Sequence, residues 1–270
     1  MKKKLIALGI SAILASSVMA KDLMMATTTS TDNTGLLDYL APKFKKQTGV
    51  NLKWVATGTG KALKMGKNCD VDILMVHAPT SEKKFINSGY GVNRQQVMYN
   101  DFILIGPKSD PIKVSGMTPS TALKKIKEKK GKFFSRGDNS GTNKKEISLW
   151  KKAMVDTPDN EKWYVQTGQG MLRTINMAAE KTGYTMTDRG TWIKYMSQKG
   201  DNNTMKIVVE GDKSLFNQYS VLTINKQKCS NVNPQLATIF TNWINNQTTQ
   251  KLIADFRMLG KSLFIPNANK

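Results

Sequence analysis

One histidine, His77, and two cysteines, Cys69 and Cys229, are the only imidazole and thiol ligands that this 270-residue chain offers a metal. A zinc centre draws on three or four such ligands at short spacings, so no metal site and no cofactor is expected. The scarcity of histidine also weighs against nucleophile–base catalysis. The run Gly137, Asp138, Asn139, Ser140, Gly141 has the look of a serine-hydrolase nucleophile loop, yet His77 would have to serve as its base with a carboxylate behind it. No spacing supports that triad, and His77, at the end of a strand-like run, reads as a structural histidine. Acidic residues are few as well: 20 Asp and Glu face 41 Lys and Arg, a formal charge of +21. A polyanion, an anionic surface or a small anion would each suit that charge. Aromatics make up only 8% of the chain and sit mostly in apolar runs, while the lysines, as at 124–130, follow amphipathic helices and read as solvated faces. A nucleic-acid surface interleaves the two, so that reading is set aside. With 39% hydrophobic residues there is enough for a real core, in one large or two modest domains, and disordered or fibrous classes are excluded.

Long apolar runs are missing too, except at the N-terminus. Lys2, Lys3 and Lys4 precede an apolar stretch over 5–18, and Val18, Met19, Ala20 end in a small-residue cleavage pattern. Residues 1–20 are read as a signal peptide, and its loss takes the formal charge from +21 to +18. No later segment approaches the roughly 20 apolar residues of a membrane span, and no cysteine follows the cleavage point to carry a lipid. A soluble periplasmic product is expected. In that compartment Cys69 and Cys229 could form a disulfide or remain two thiols; sequence leaves both open. A bridge closing so long a loop would contribute on the order of 5 kcal/mol by chain entropy.

Beyond the signal, short apolar runs alternate with periodic helical segments, the pattern of an α/β protein. Strands are expected at 23–27, 51–56, 71–76, 98–105, 133–134, 206–210 and 219–224. Helices are expected at 35–47, just after Gly60, and at 81–87, 119–129, 144–155, 170–181, 189–198 and 234–258. If 98–105 crosses outward and 216–224 crosses back, residues 21–106 with 214–270 form one lobe and 107–213 a second, with a cleft between them. Ligands in such folds sit beyond the carboxyl ends of strands.

Hydroxyl- and glycine-rich turns fall at four of these strand-to-helix junctions. They are Thr27 to Ser30, Thr57 to Gly60, Ser135 to Thr142, and Gly168 to Gly170. Helix starts carry unpaired N–H groups and partial positive charge, so several converging ones make an anion site. Each could equally cap its own helix, as Asn143 with Glu146 is expected to do in a capping box. Arg136 adds a guanidinium suited to two oxygens of an oxyanion, a role compatible with an ion pair to Asp138. Arg189 stands at another helix start, where it serves either structure or ligand.

At these residues the chain resembles the periplasmic tungstate-binding proteins of TupA type, the capture subunits of ABC importers. The likeness lies in TTTS at Thr27 to Ser30 with Thr34 to Asp38, Gly58 to Leu63, Asp70 to Pro79, Tyr99 to Pro107, SRGDNSGT at Ser135 to Thr142 with Glu146, and TDRGT at Thr187 to Thr191. It spans the mature chain. The resemblance implies a type II periplasmic-binding-protein fold, two α/β lobes joined by two crossing strands and closing over a dehydrated tetrahedral oxyanion. It implies a binding protein without catalytic residues, an ABC permease as partner, and a monomer. Carried onto this sequence, the ligand set is Thr29, Ser30, Thr59 and Gly60 from the first lobe and Arg136, Ser140, Thr142 and Gly170 from the second. Tungstate is the implied ligand, with molybdate of equal charge and nearly equal size. Phosphate is the runner-up, because Asp138 belongs to an Asp-x-Ser-Gly-Thr element that phosphate binders share. A carboxylate helps to bind monohydrogen phosphate and repels an unprotonated dianion, and the TTTS loop has none before Asp32.

Overall fold

Parallel strands order the molecule around two sheet regions that share one long strand. The computed structural model describes residues 21–268, so the expected signal peptide lies outside the described residues. The chain opens with β1 (Lys21–Thr28), α1 (Thr29–Asp32), α2 (Leu36–Thr48), β2 (Val50–Thr57), α3 (Thr59–Lys67), β3 (Ile73–Val76) and α4 (Pro79–Asn87). The seventeen-residue β4 (Gly91–Pro107) then leads outward. Next come α5 (Pro119–Glu128), β5 (Phe133–Ser135), α6 (Gly141–Lys152), β6 (Tyr164–Gln166), α7 (Met171–Glu180), β7 (Tyr184–Asp188), α8 (Arg189–Lys199) and β8 (Met205–Val209). The chain returns through β9 (Phe216–Ile224) and ends in α9 (Pro234–Asn245), α10 (Gln247–Asp255) and the short β10 (Arg257–Met258), β11 (Lys261–Ser262) and β12 (Ile265–Pro266).

The strand order is β2-β1-β3-β9-β4-β7-β5-β6, with β8 and β12 also pairing with β4. β1 pairs in parallel with both β2 and β3, so Thr28, Thr57 and the chain after Val76 leave at the same edge. β5 pairs in parallel with β6 and β7 in the same manner. β4 changes partners midway: residues up to Asp101 pair with β9, and Phe102 onward pair with β7. It thus passes from one sheet region into the other.

Helices cover both faces of each region. Leu36, Leu37, Leu40 and Phe44 recur at helical spacing on α2 and pack with Phe240 and Trp243 of α9. Ala62 of α3 and Phe85 of α4 close the opposite face with Leu74, Leu222 and Ile224. In the second region Ile126, Leu149 and Trp150 lie on one side, and Ile175, Trp192 and Tyr195 on the other. Each fully buried Leu or Phe contributes roughly 1.5–3 kcal/mol, so every layer anchors itself.

Three expectations need correcting. The helix read over 234–258 is two helices, broken at Asn246, whose extended backbone (φ −72°, ψ 155°) ends α9 while its side chain accepts Thr249 N–H to start α10. β7, unexpected from its Tyr-Thr-Met-Thr-Asp sequence, is wholly buried and pays for its polar residues with hydrogen bonds such as Thr185 to the Phe134 carbonyl at 2.6 Å. The capping box at Asn143 is absent. Ser140 is the N-cap of α6, accepting Asn143 N–H, and Glu146 turns inward to accept from Ser135, Tyr164 and Trp150. Cys69 and Cys229 are joined in a disulfide that ties the segment after α3 to the loop before α9.

Candidate functional site

The carboxyl ends of β1, β2 and β3 face the start of α6 across a cavity of about 550 Å³. Seven of the eight residues put forward from sequence line it: Thr29, Ser30, Thr59, Gly60, Arg136, Ser140 and Thr142. Gly170 lies apart, in an adjoining cavity of about 370 Å³ that shares Thr29, Ser30 and Arg136. Arg136 therefore stands between the two spaces. Thr28, His77 and Lys61 also line the larger cavity and were not put forward. Their signal was available in part, since His77 leaves the end of a parallel strand as Thr28 and Thr57 do.

The first wall is built from hydroxyls. Thr28 caps the short α1, accepting Thr31 N–H, and its Oγ1 lies 3.0 Å from both Ser30 Oγ and His77 Nε2. Ser30 Oγ is 3.1 Å from the same nitrogen. His77 is buried, stacked on Tyr219 with ring centroids 4.8 Å apart, and its Nδ1 lies 2.8 Å from Asn217 Oδ1. Burial lowers its pKa, against the opposing effects of the Asn217 contact and the Asp188 charge. The loop that carries His77 is held from behind: Ala78 N–H donates to Glu82, whose buried carboxylate also takes Arg94.

The second wall carries formal charge. Ser135 at the end of β5 donates to Glu146 at 2.6 Å and accepts Gly137 N–H and Asn143 Nδ2, so a buried network pins the loop root. Gly137 turns the chain with φ +60°, where a Cβ would lie 2.7 Å from Gln166. Arg136 and Asp138 form an ion pair through Nη2, and Ser140 N–H donates to the other oxygen of Asp138. Burial raises the Asp138 pKa, but Ser140 and the Arg136 charge outweigh it and hold the carboxyl below its ordinary value. The Nε of Arg136 is buried and has no hydrogen-bond partner.

Arg189 is not part of this site. It forks onto Asp101 of β4 at 2.6 and 2.5 Å and reaches Glu210 at 2.6 Å, bracing the crossing. Nor does Ser140 meet a base, because its hydroxyl caps α6 and the ring nitrogens of His77 contact Asn217, Thr28 and Ser30. The hydrolase reading therefore lacks its geometry.

Two α/β regions joined by long crossing strands, with hydroxyls, Lys61, Lys64 and the Arg136 guanidinium lining the cleft between them, have the architecture of the type II periplasmic-binding-protein class. In agreement, a family model described as a PBP superfamily domain matches residues 16–247. The tungstate-binding protein TupA of Campylobacter jejuni is 50% identical over 239 residues, 88% of each chain. Among solved structures, the tungstate binding protein TupA from Desulfovibrio alaskensis G20 has a TM-score of 0.87 at 62% identity, covering 93% of this chain and 100% of that chain. The tungstate ABC transporter from Geobacter sulfurreducens has a TM-score of 0.77 at 44% identity, covering 87% and 98%. The chain belongs to the periplasmic-binding-protein superfamily and, within it, to the TupA family.

Proposed function

We propose that the protein captures tungstate in the periplasm and delivers it to the membrane permease of an ABC importer, with molybdate bound by the same chemistry. In this reading residues 1–20 are the export signal, and the mature chain works as a monomer. The lobes are 21–106 with 214–270 and 107–213, which close about the strands that cross between them. Thr29, Ser30, Thr59 and Gly60 donate from one side; Arg136, Ser140 and Thr142 donate from the other, with Gly170 at the margin.

The observation that carries the reading is the orphaned Nε of Arg136. A buried N–H without a partner costs roughly 1–3 kcal/mol, and because Arg136 lines the cavity, closure that turns this N–H onto a bound oxyanion would satisfy it. The other end of the guanidinium is clamped by Asp138, which fixes its direction. Hydroxyls and helix starts supply the remaining donors, with Lys61 and Lys64 adding positive charge to the cavity lining.

Asp138 lines the cavity and so keeps phosphate as the alternative. Its oxygens accept from Arg136 and from Ser140 N–H, and each keeps a second lone pair that the proton of monohydrogen phosphate would use. The names of the relatives point to tungstate. Calorimetry of ligand-stripped protein against tungstate, molybdate, sulfate and phosphate tests the proposal. Tungstate and molybdate should bind, and phosphate should give no heat at the same concentrations; tighter binding of phosphate would overturn the assignment.

A further inference from the structure

His77 enters none of the roles above, yet it sits where the two walls and the crossing strands meet. Its hydrogen bonds run in one direction. Asn217 on β9 directs its amide nitrogen to Asn100 Oδ1 on β4 at 2.8 Å and to the Tyr219 hydroxyl at 3.3 Å, which leaves Oδ1 facing His77 Nδ1. An amide oxygen only accepts, so Nδ1 carries the proton and, in the neutral ring, Nε2 has one lone pair to offer. Thr28 Oγ1 accepts from Thr31 N–H at 3.2 Å and lies 2.7 Å from the Thr31 hydroxyl, a bond in which either oxygen can donate. With the Thr31 hydroxyl as donor, both lone pairs of Thr28 are engaged and its own hydrogen is left for Nε2. Ser30, 3.0 Å from Thr28 and 3.1 Å from Nε2, then finds both acceptors filled, and its hydrogen is free for the cavity.

A second contact joins His77 to the opposite wall. Gly141, first residue of α6, lies so close that a Cβ there would stand 3.1 Å from His77 Cε1 and 3.7 Å from Thr59 Oγ1. The ring cannot retreat, being stacked on Tyr219 and bonded through both nitrogens. Alanine would suit the first turn of α6 at least as well as glycine by helix propensity. Closure of the second wall onto His77 is what the bare glycine permits.

We propose that His77 is a positioning residue for the anion site: its Nδ1–H tautomer, fixed by Asn217 on the crossing strand, holds the Thr28 hydroxyl so that Ser30 donates into the cleft, and its ring edge is the stop against which Gly141 closes. The proposal deepens the oxyanion reading and rests on it. Burial keeps the ring neutral, in keeping with the lowered pKa of His77.

Because His77 is the only histidine, untagged protein labelled with ¹⁵N-histidine gives one imidazole spectrum. At pH 7, without and with tungstate, it should show a protonated Nδ1 and an unprotonated Nε2. A protonated Nε2, in the neutral ring or the imidazolium, would overturn the proposal without touching the oxyanion reading. In the open arrangement that closure implies for the ligand-free protein, the walls stand apart and Gly141→Ala should leave the melting temperature unchanged or slightly higher. By lowering the population able to close, it should weaken tungstate binding about ten-fold or more. Unchanged tungstate affinity in folded Gly141→Ala would remove the closure role, whereas absence of tungstate binding by the wild type would remove the oxyanion reading itself. Should Gly141→Ala fail to fold, the tautomer measured on the wild type still decides the proposal.

Discussion

The two halves of the molecule are built alike except that one of them carries a covalent cross-link. The half built on β1, β2, β3 and β9 has the Cys69–Cys229 disulfide and the aromatic cluster of Phe44, Phe240 and Trp243. The half around β5, β6 and β7 holds neither cysteine, packs its own aromatic cluster of Phe133, Trp150 and Tyr164, and uses buried carboxylates as acceptors just as the first half uses Glu82 and Asp72. Glu146 accepts from Ser135, Tyr164 and Trp150; Asp110 accepts from Ser115, Tyr184 and Val114; Asp188 caps α8. Their walls of the cleft differ in a second respect, hydroxyls with Lys61 and Lys64 on one side and the Arg136–Asp138 ion pair on the other. Reductant should therefore act first on the half that holds the disulfide.

The largest effect expected is loss of the disulfide. The cross-link spans 160 residues of sequence, and its removal by Cys69→Ser with Cys229→Ser should cost on the order of 5 kcal/mol. Hydrogen exchange should then rise in β1, β3 and α9 more than in β5 and α7. Equal loss of protection in both halves would show that they unfold as one unit. Next comes Arg136→Ala, which should weaken tungstate binding by roughly 2 to 4 kcal/mol, the scale of breaking a buried charged contact. The melting temperature of the ligand-free protein should hardly move; unchanged affinity with a large fall in that temperature would reduce Arg136 to a structural partner of Asp138.

Much of this division was legible in the sequence where polar turns met apolar runs. TTTS, TGTG and SRGDNSGT placed seven candidate residues on one cavity because parallel strands deliver their carboxyl ends to one edge. What escaped was decided by long-range pairing. β7 is too polar to read as a core strand, and its threonines are satisfied only by neighbours such as the Phe134 carbonyl. Glu146 sat at capping-box spacing, but three buried donors outbid the backbone for it. His77 looked structural because Asn217, 140 residues away, is what gives its ring a direction.

Acid provides the third test. Asp110 is lifted by burial, but its bonds to Ser115, Tyr184 and Val114 outweigh that and bring it down to about 2 from an ordinary 3.8. A depressed carboxyl stabilises the fold above its unfolded pKa and loses that contribution as pH falls through the folded one, here on the order of 2 kcal/mol. Denaturant melts of wild type and Asp110→Asn should differ at pH 6 and converge between about pH 4 and 2. A constant difference would place the acid-sensitive group elsewhere. The smallest effect concerns the α5 lysines. Replacing Lys124, Lys125 and Lys127 by glutamine should shift tungstate affinity by no more than about 0.5 kcal/mol. It should slow association chiefly at low salt, where the Debye length is long. Lost binding would make these lysines part of the recognition surface.

The most direct test of the central claim, that neutral hydroxyls of one lobe and the guanidinium of the other share a single anion, is a tungsten anomalous-difference map from crystals grown with tungstate. The peak should lie in the larger cavity, within hydrogen-bonding reach of Ser30, Thr59 and the Nε of Arg136. A peak beside Gly170 and Arg173, or only on surface lysines, would contradict it.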